Sequence, residues 1–342
     1  MKKILLVIIG FICINLHSIE LKVNYVKKTG DNRDNYIFFK ITSAVITPDK
    51  NIFVCDSKSH FISKYNWDGK FVKRVGGKKG KGPMDFNYIP SIKYCNNKLY
   101  IYDMNLLRIT ETDLKLNPIK YYHFGILENN IIIYNNKFIG NKRTMFNKKG
   151  RIFIMDFKGK VIKSFFSRSQ FGELQKPKNK LDWALKARTS RIVFDFNKQK
   201  RNFFVGFEYP LNPMVFYILN YNGKIIKKIN FKMEKKYEFP HFLNKFPLKS
   251  PKKRIYYAKV LSVFSYKNFW IVSVGCNSES KEGYRFEGLK FILFDNNGKL
   301  LDTLTLNEKI SFFNITQDGY LIGTKEDSDI PQVLIYKLNI SN

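Results

Sequence analysis

The sequence predicts an all-β fold, a six-bladed β-propeller whose blades are four-stranded antiparallel sheets. Two observations lead to this prediction. A strand, a turn that usually contains Gly-Lys, and a second strand recur along the chain, and a further pair of strands precedes each copy. Five such units and a sixth that has three strands of its own fit the radial repetition of a propeller.

Four copies of the repeated phrase carry glycine at the turn. Because glycine adopts a positive φ at little steric cost, it suits the tight turn of a β-hairpin. The flanking β-branched and aromatic residues are typical of half-buried strands. A degenerate fifth copy reads ITETDLKLNPIKYY. The turn glycines are Gly69, Gly159, Gly223 and Gly298.

The two ends of the chain predict how the ring closes. The sixth unit supplies only three strands before the chain ends at LIYKLNISN, while the unpaired strand IELKVNYVKK lies near the N-terminus. We expect these to pair, because closure removes the free sheet edge at the seam. The sequence therefore predicts a single propeller domain over residues 19–342, whose last blade is closed by the N-terminal strand. Long insertions before Arg191 and Ile255 are expected to be loops.

The first 18 residues have the pattern of a secretory signal peptide. Two lysines precede an apolar run from Ile4 to Leu16, and Ser18 follows as a small residue near the cleavage point. This run is shorter than the roughly 20 residues that span a bilayer. The residue before Cys13 is a large isoleucine, which does not fit a lipid-attachment site. We expect a periplasmic or secreted protein without a transmembrane segment or lipid anchor.

Two further sets of residues are interpreted as structural. Cys55, Cys95 and Cys276 are widely spaced and odd in number, so we expect buried thiols rather than a disulfide framework, with one bridge left open as an alternative. The first strand of each blade should line the central channel, where small residues permit close packing. The small residues predicted on these first strands are Ala44, Ser91, Ser190, Ala258 and Ser311.

The stretch from residue 51 to residue 103 resembles an NHL-repeat blade and the start of the next one. The family alternates a strand ending in Val-x-Asp, a glycine turn, a Gly-rich linker with Gly-Pro and Phe, and a proline that opens the next blade. Beyond residue 110 only the bare strand phrase continues. The matching positions are Val54, Asp56, Gly69, Gly82, Pro83, Phe86 and Pro90.

This resemblance implies an exported, NHL-like six-bladed propeller that binds protein, nucleic acid or glycan. Some six-bladed relatives are calcium-dependent lactonases or peptide-amidating lyases, so a metal-dependent hydrolase or lyase at the channel mouth is the alternative function. Calcium would be its cofactor.

A calcium site needs six to eight oxygen ligands that converge. The predicted inner strands offer few of them, with Glu128 near the start of one and Asn314 near the end of another. We interpret Asp56 and Asp103 as turn residues that bind nearby backbone N–H groups. The acids expected in loops between second and third strands, away from the axis, are Asp56, Asp103, Glu208, Glu282, Glu287, Glu326, Asp327 and Asp329.

Other catalytic patterns are equally weak. His60, His123 and His241 fall in separate units, which does not favour a zinc site. The segment GGKKGKG has neither the Lys-Ser/Thr ending nor the following helix of a phosphate-binding loop. We therefore assign no catalytic residue, no metal ligand and no cofactor.

Charge is the feature that the fold explains least. The chain has 60 Lys and Arg against 28 Asp and Glu, a formal net charge of +32. An AT-rich coding sequence could produce this excess of lysine without any function. The alternative is a face of basic loops with scattered aromatic residues, which binds a protein or an anionic polysaccharide. We do not expect nucleic acid as a partner, because lysine lacks the planar fork that suits phosphate and base recognition. We expect the chain to be a monomer. The candidate binding residues are Lys78, Lys79, Lys81, Lys176, Lys178, Trp183, Tyr209, Phe242, Lys249, Lys252, Lys253 and Arg254.

Overall fold

The computed structural model contains six four-stranded antiparallel sheets arranged as a six-bladed β-propeller, as the sequence predicts. It describes residues 19–29, 38–124, 127, 131–141, 151–166, 191–208, 213–234, 255–280, 283–325 and 331–341. Within these ranges the regular elements are all strands. The described residues therefore contain no helix that could span a membrane.

Each blade is a meander, named here from the channel outward. Blade 1 has β2 (Ile41–Ile46), β3 (Ile52–Asp56), β4 (Phe61–Tyr65) and β5 (Phe71–Gly76). Blade 2 has β6 (Ser91–Cys95), β7 (Lys98–Asp103), β8 (Arg108–Thr112) and β9 (Pro118–His123). Blade 3 has β10 (Ile131–Tyr134), β11 (Lys137–Asn141), β12 (Ile152–Asp156) and β13 (Val161–Phe165).

Blade 4 has β14 (Ile192–Asn197), β15 (Asn202–Phe207), β16 (Met214–Asn220) and β17 (Ile225–Phe231). Blade 5 has β18 (Ile255–Tyr266), β19 (Phe269–Ser280), β20 (Gly283–Asp295) and β21 (Leu300–Leu306). Blade 6 has β22 (Ile310–Ile315), β23 (Tyr320–Lys325), β24 (Val333–Ser341) and β1 (Glu20–Thr29).

The first strands of the blades surround the channel. Strand β2 contacts β6 and β22, β6 contacts β10, and β18 contacts both β14 and β22. The two ends of the chain join in blade 6, where β1 pairs with β24 from Glu20 opposite Ser341 to Thr29 opposite Val333. The predicted closure by the N-terminal strand is therefore confirmed.

Backbone conformation and close packing both require glycine at these turns. Their φ angles are 83°, 82°, 80° and 73° at Gly69, Gly159, Gly223 and Gly298, a region that L side chains rarely adopt. Each also packs on the outer strand of the preceding blade. A Cβ on Gly298, for example, would lie 2.8 Å from Cγ1 of Ile229 in β17. The repeated turn thus fixes both a hairpin and a contact between blades.

A polar side chain closes each of these turns. At the end of the third strand, its Oδ1 accepts the backbone N–H of the residue four positions later, at 2.7 to 3.0 Å. The degenerate copy uses the same bond, with Leu116 at φ 64° in place of glycine. The five side chains are Asn66, Asp113, Asp156, Asn220 and Asp295.

The hydrophobic cores lie between blades. Trp270 of β19 is completely buried and packs with Phe204 and Phe294. The small residues Ala44 and Ala258 are buried in such cores, as their predicted packing role requires. The other predicted small residues differ in accessibility. Ser91 is buried, Ser311 is half-buried, and Ser190 lies outside the described residues.

The three cysteines in the described part of the chain are not joined by a disulfide. Cys55 and Cys276 are buried and Cys95 is half-buried, so the alternative of a bridge does not occur in this structure. Burial raises the pKa of the Cys55 thiol well above its ordinary value. Since the thiolate is the reactive form, Cys55 is chemically inert.

Blade 5 departs from the sequence prediction. Glu287 was expected in a loop, but it lies inside β20, because β19 and β20 extend as a long hairpin. The Ser278 hydroxyl donates to Glu287 Oε1 at 2.6 Å across this hairpin. Ile255 begins β18 and marks the boundary of the insertion that precedes it.

Candidate functional site

The connection from β5 to β6 is a compact loop built around Arg108. Arg108 Nη1 donates to the carbonyl oxygens of Lys81 and Gly82, each at 3.1 Å, and Nη2 donates to that of Asp85 at 2.6 Å. The guanidinium also lies 5.2 Å from the ring centre of Tyr121. Because one planar fork holds three carbonyl groups, the loop backbone has a fixed shape.

Three candidate binding lysines stand on this loop. Lys78, Lys79 and Lys81 are all exposed. The nearby carboxylate of Asp85 turns back into the loop, where Oδ2 accepts the Gly82 N–H at 3.0 Å. The three ammonium groups therefore extend into solvent from a rigid base, and the predicted linker role of this segment is confirmed.

Asp56 anchors the neighbouring turn. Its Oδ1 accepts the N–H groups of Lys40, Lys58 and Ser59 at 3.0 to 3.2 Å, and its Oδ2 accepts that of Phe39 at 2.6 Å. The residue is completely buried. The predicted turn-capping role is confirmed, and the structure adds a second role, because the same carboxylate holds the segment that enters β2.

Asp103 repeats this arrangement in blade 2. Its Oδ1 accepts the N–H groups of Asn105, Leu106 and Tyr88 at 3.0 to 3.3 Å, and its Oδ2 accepts that of Asn87 at 2.5 Å. Both carboxylates thus have their oxygens directed at backbone donors. Neither is arranged as a calcium ligand at the channel mouth.

The turn held by Asp56 extends the basic surface. The Gly77 N–H donates to the His60 carbonyl at 2.8 Å and ties this turn to the linker. Phe39 is 58% exposed, and the Lys58 ammonium lies 5.5 Å from its ring centre. We call the exposed set Phe39, Lys40, Lys58, Lys78, Lys79 and Lys81 the linker-face patch.

Phe39, Lys40 and Lys58 were not among the residues predicted from the sequence. Their only signal was their position beside Asp56 of the Val-x-Asp pattern. The other nine candidate binding residues lie outside the described residues. These are Lys176, Lys178, Trp183, Tyr209, Phe242, Lys249, Lys252, Lys253 and Arg254.

The channel contains charges that the sequence prediction did not assign. Lys93 lies on β6 and Asp195 on β14, the inner strands of blades 2 and 4. Asp195 lies within β14, where it alternates with the buried Phe194 and Phe196, and it was not among the acids predicted near the inner strands. Glu128 itself lies outside the described residues.

Burial shifts both channel groups toward their neutral forms. It lowers the pKa of Lys93, although the charge of Asp195 opposes this effect. It raises the pKa of Asp195, although hydrogen bonds from the backbone of Ser265 and Phe196 and the charge of Lys93 oppose it. The Asp195 Oδ2 accepts the Ser265 N–H at 2.6 Å, which joins β14 to the inner strand of blade 5.

The remaining metal-ligand candidates do not converge. In the described part of the chain, no group of three His, Cys, Asp or Glu side chains is placed to hold a metal ion. His60 lies in the turn after β3, His123 ends β9, and His241 is not described. Asn314 lies in β22 as expected, where its Oδ1 accepts the N–H of Ile315 at 2.9 Å.

No protein-family model and no curated protein matches the chain. The structure is similar to a member of the DUF4221 family from Bacteroides vulgatus, with 11% identity, a TM-score of 0.58, and coverage of 95% of this chain and 99% of that one. It is also similar to a Bacteroides fragilis protein described as exported, with 13% identity, a TM-score of 0.60, and coverage of 95% and 96%. At these identities the likeness shows the fold.

Proposed function

We propose that this chain is an exported, non-catalytic binding propeller that engages an anionic partner, an acidic polysaccharide or an acidic protein surface, through the linker-face patch. The observation that carries the proposal is the loop built around Arg108. It presents Lys78, Lys79 and Lys81 to solvent while its own backbone carbonyls are held by the guanidinium.

Three physical effects favour binding at this place. A backbone that is already ordered loses little conformational entropy when a partner binds. The formal net charge of +32 attracts anions over a distance set by ionic strength. Phe39, with 58% of its surface exposed beside Lys58, offers an apolar face against which a sugar ring or side chain can stack.

Export and the NHL-like character belong to the same proposal. The N-terminal signal pattern supports export, and a structurally similar protein is described as exported. The Val-x-Asp, Gly-Pro and Phe positions supply the NHL-like character, and their roles here agree with it. Asp56 caps the turn after β3, and Phe86 is completely buried beneath the linker.

The test is a comparison of two triple variants of the mature chain. K78Q/K79Q/K81Q removes three charges from the patch, and K70Q/K227Q/K228Q removes three exposed lysines from an outer turn and an outer strand. We expect the patch variant to bind fluorescent dextran sulfate more weakly, with a flatter salt dependence, while the control stays near wild type. Equal losses in both variants would show attraction by net charge alone and contradict the proposal.

A further inference from the structure

We propose that the outer edge of blade 3, around Val161 and Ile162, is a docking site for an extended segment of a partner protein in which apolar and acidic residues alternate. This surface lies on the outer strand β13, apart from the linker-face patch. The proposal does not depend on polyanion binding at that patch.

The outer strand of every blade contains a β-bulge. In β13, Val161 pairs with Met155 and Lys163 with Ile154, which leaves Ile162 as the extra residue without a partner on β12. In blades 1–5 this extra residue is the second residue of the outer strand, and in all six blades it is apolar. The six bulged residues are Val26, Val72, Ile119, Ile162, Ile226 and Leu301.

Five of the bulged residues are exposed and the sixth is not. The exposed fraction of the five ranges from 39% at Val26 to 61% at Ile226, whereas Leu301 of blade 5 is half-buried. A bulge protects a sheet edge from pairing with another chain, but this protection does not require an apolar side chain in solvent. One exposed aliphatic residue is ordinary on a protein surface, but repetition at one structural position indicates a contact surface.

Blade 5 shows which kind of segment fits this position. The N-terminal end of β1 lies against β21, and Ile19, Leu21 and Val23 belong to one apolar cluster with Leu301. The Leu21 N–H donates to Oδ2 of Asp302, the residue after the bulge, at 2.7 Å. The covering segment is therefore extended, packs alternate side chains over the bulge and forms a hydrogen bond through its backbone.

Blade 3 combines an open bulge with exposed cations. Val161 and Ile162 are consecutive aliphatic residues with exposed fractions of 49% and 52%. The turn before them contributes Lys158 and Lys160, which are both exposed. The acid of this turn, Asp156, faces the backbone, because its Oδ1 accepts the N–H groups of both lysines at 2.9 Å.

The sign of the local charge selects the segment. In blade 5 the residue after the bulge is Asp302, and the segment that covers it carries Lys22. In blade 3 the residue after the bulge is Lys163, whose ammonium donates to Asn222 Oδ1 at 2.7 Å. With the two turn lysines, three cations stand beside one acid, so acidic residues in a covering segment are attracted to this edge.

The test is a methyl NMR titration of residues 19–342 with two hexapeptides blocked at both ends. IELKVN copies residues 19–24, and IELEVN has glutamate at its fourth position. We expect IELEVN to shift the methyl signals of Val161 and Ile162 saturably. IELKVN should bind more weakly, because its lysine meets the lysines of the turn. I162N should raise the Kd of IELEVN by at least about tenfold, since the apolar contact of one isoleucine is lost.

I226N is the matched control. Ile226 is the equivalent bulged residue of blade 4 and is also exposed, so its replacement should leave the Kd of IELEVN at blade 3 unchanged. K78Q/K79Q/K81Q should likewise leave this Kd nearly unchanged at physiological salt, which separates the site from the linker-face patch. The methyl spectra of all three variants report directly whether the fold is intact.

Saturable shifts at Val161 and Ile162 that I162N weakens and I226N does not would support the proposal. The absence of such shifts, an unchanged Kd in I162N, or equal affinity for the two peptides would contradict it. The bulges would then serve only to keep the outer strands from pairing with other chains.

Discussion

The Thr29 hydroxyl donates a hydrogen bond to the carbonyl oxygen of Gly69 at 3.1 Å, which joins blade 6 to blade 1. Thr29 ends β1, the outer strand of blade 6, and Gly69 lies in the outer turn of blade 1. The turn glycines of other blades also pack against the outer strand of the preceding blade or the residue after it, with His123 and Phe124 beside Gly159, Phe165 beside Gly223, and Ile229 beside Gly298. The packing of blade 6 on blade 1 therefore follows the ordinary contact between blades.

Removing β1 should destabilise the whole ring. A chain of residues 38–342 loses the pairing with β24 and exposes the core around Leu21, which is 2% exposed in the intact protein. We expect the free energy of unfolding to fall by at least about 2 kcal/mol, the value of burying one leucine. T29V is the milder comparison and should cost about 1 kcal/mol. Urea unfolding measures both, and equal stability of the long and short chains would contradict closure by β1.

Two glycine variants separate backbone strain from a clash between blades. Gly77 has φ 91°, and no described atom lies within 4 Å of the position that a Cβ would take, so G77A should cost about 1 to 2 kcal/mol. Gly298 has φ 73°, and a Cβ there would meet Ile229, so G298A should cost about 1 to 3 kcal/mol more. The measurement is chemical denaturation of both variants. If the two lost the same stability, the packing of turn glycines on the preceding blade would not matter energetically.

The raised pKa of Asp195 predicts a pH dependence of stability. Burial raises the pKa of Asp195 in the folded protein above its ordinary value of 3.8. At pH values between 3.8 and this raised pKa, the folded state binds more protons than the unfolded state. Stability therefore falls as pH rises through that window, and D195N abolishes this loss. The stability of wild type minus that of D195N should be greatest below pH 3.8 and should decrease toward neutral pH. An increase with pH would mean that Lys93 stabilises the carboxylate more than burial penalises it.

The shape of the linker loop can be tested without changing its charge. R108K keeps a cation but loses the planar fork that holds the carbonyls of Lys81, Gly82 and Asp85. We expect faster amide hydrogen exchange over residues 77–87 and weaker dextran sulfate binding. K120Q, an exposed change on the adjacent strand β9, is the comparison and should leave exchange in the loop unaltered. Unchanged binding by R108K would show that loop order does not contribute.

The fold was predictable because its signal repeats. The turn glycines, the β-branched and aromatic residues that flank them and the unpaired N-terminal strand are all local in sequence, and together they specify blades and closure. Leu116 shows the limit of that signal, since it adopts the same backbone as the glycines without resembling them.

The candidate sites were less predictable because they depend on contacts between distant segments. Lysines 78, 79 and 81 stand in an evident basic loop, whereas Phe39 and Lys58 join them only through Asp56 and the bond from Gly77 to His60. Lys93 and Asp195 are single charges in otherwise ordinary strands. Only the closed ring brings them to one channel.

The most direct test of the proposed function is a thermal melt of residues 19–342 with dextran sulfate at low and high salt, and separately with calcium or EDTA. A polyanion at 100 times its Kd should stabilise the fold by about 2.7 kcal/mol. We expect dextran sulfate to stabilise the protein at low salt but not at high salt, and we expect EDTA to leave this stabilisation unchanged. A calcium-dependent stabilisation without any polyanion effect would contradict it and favour the metal-dependent hydrolase or lyase.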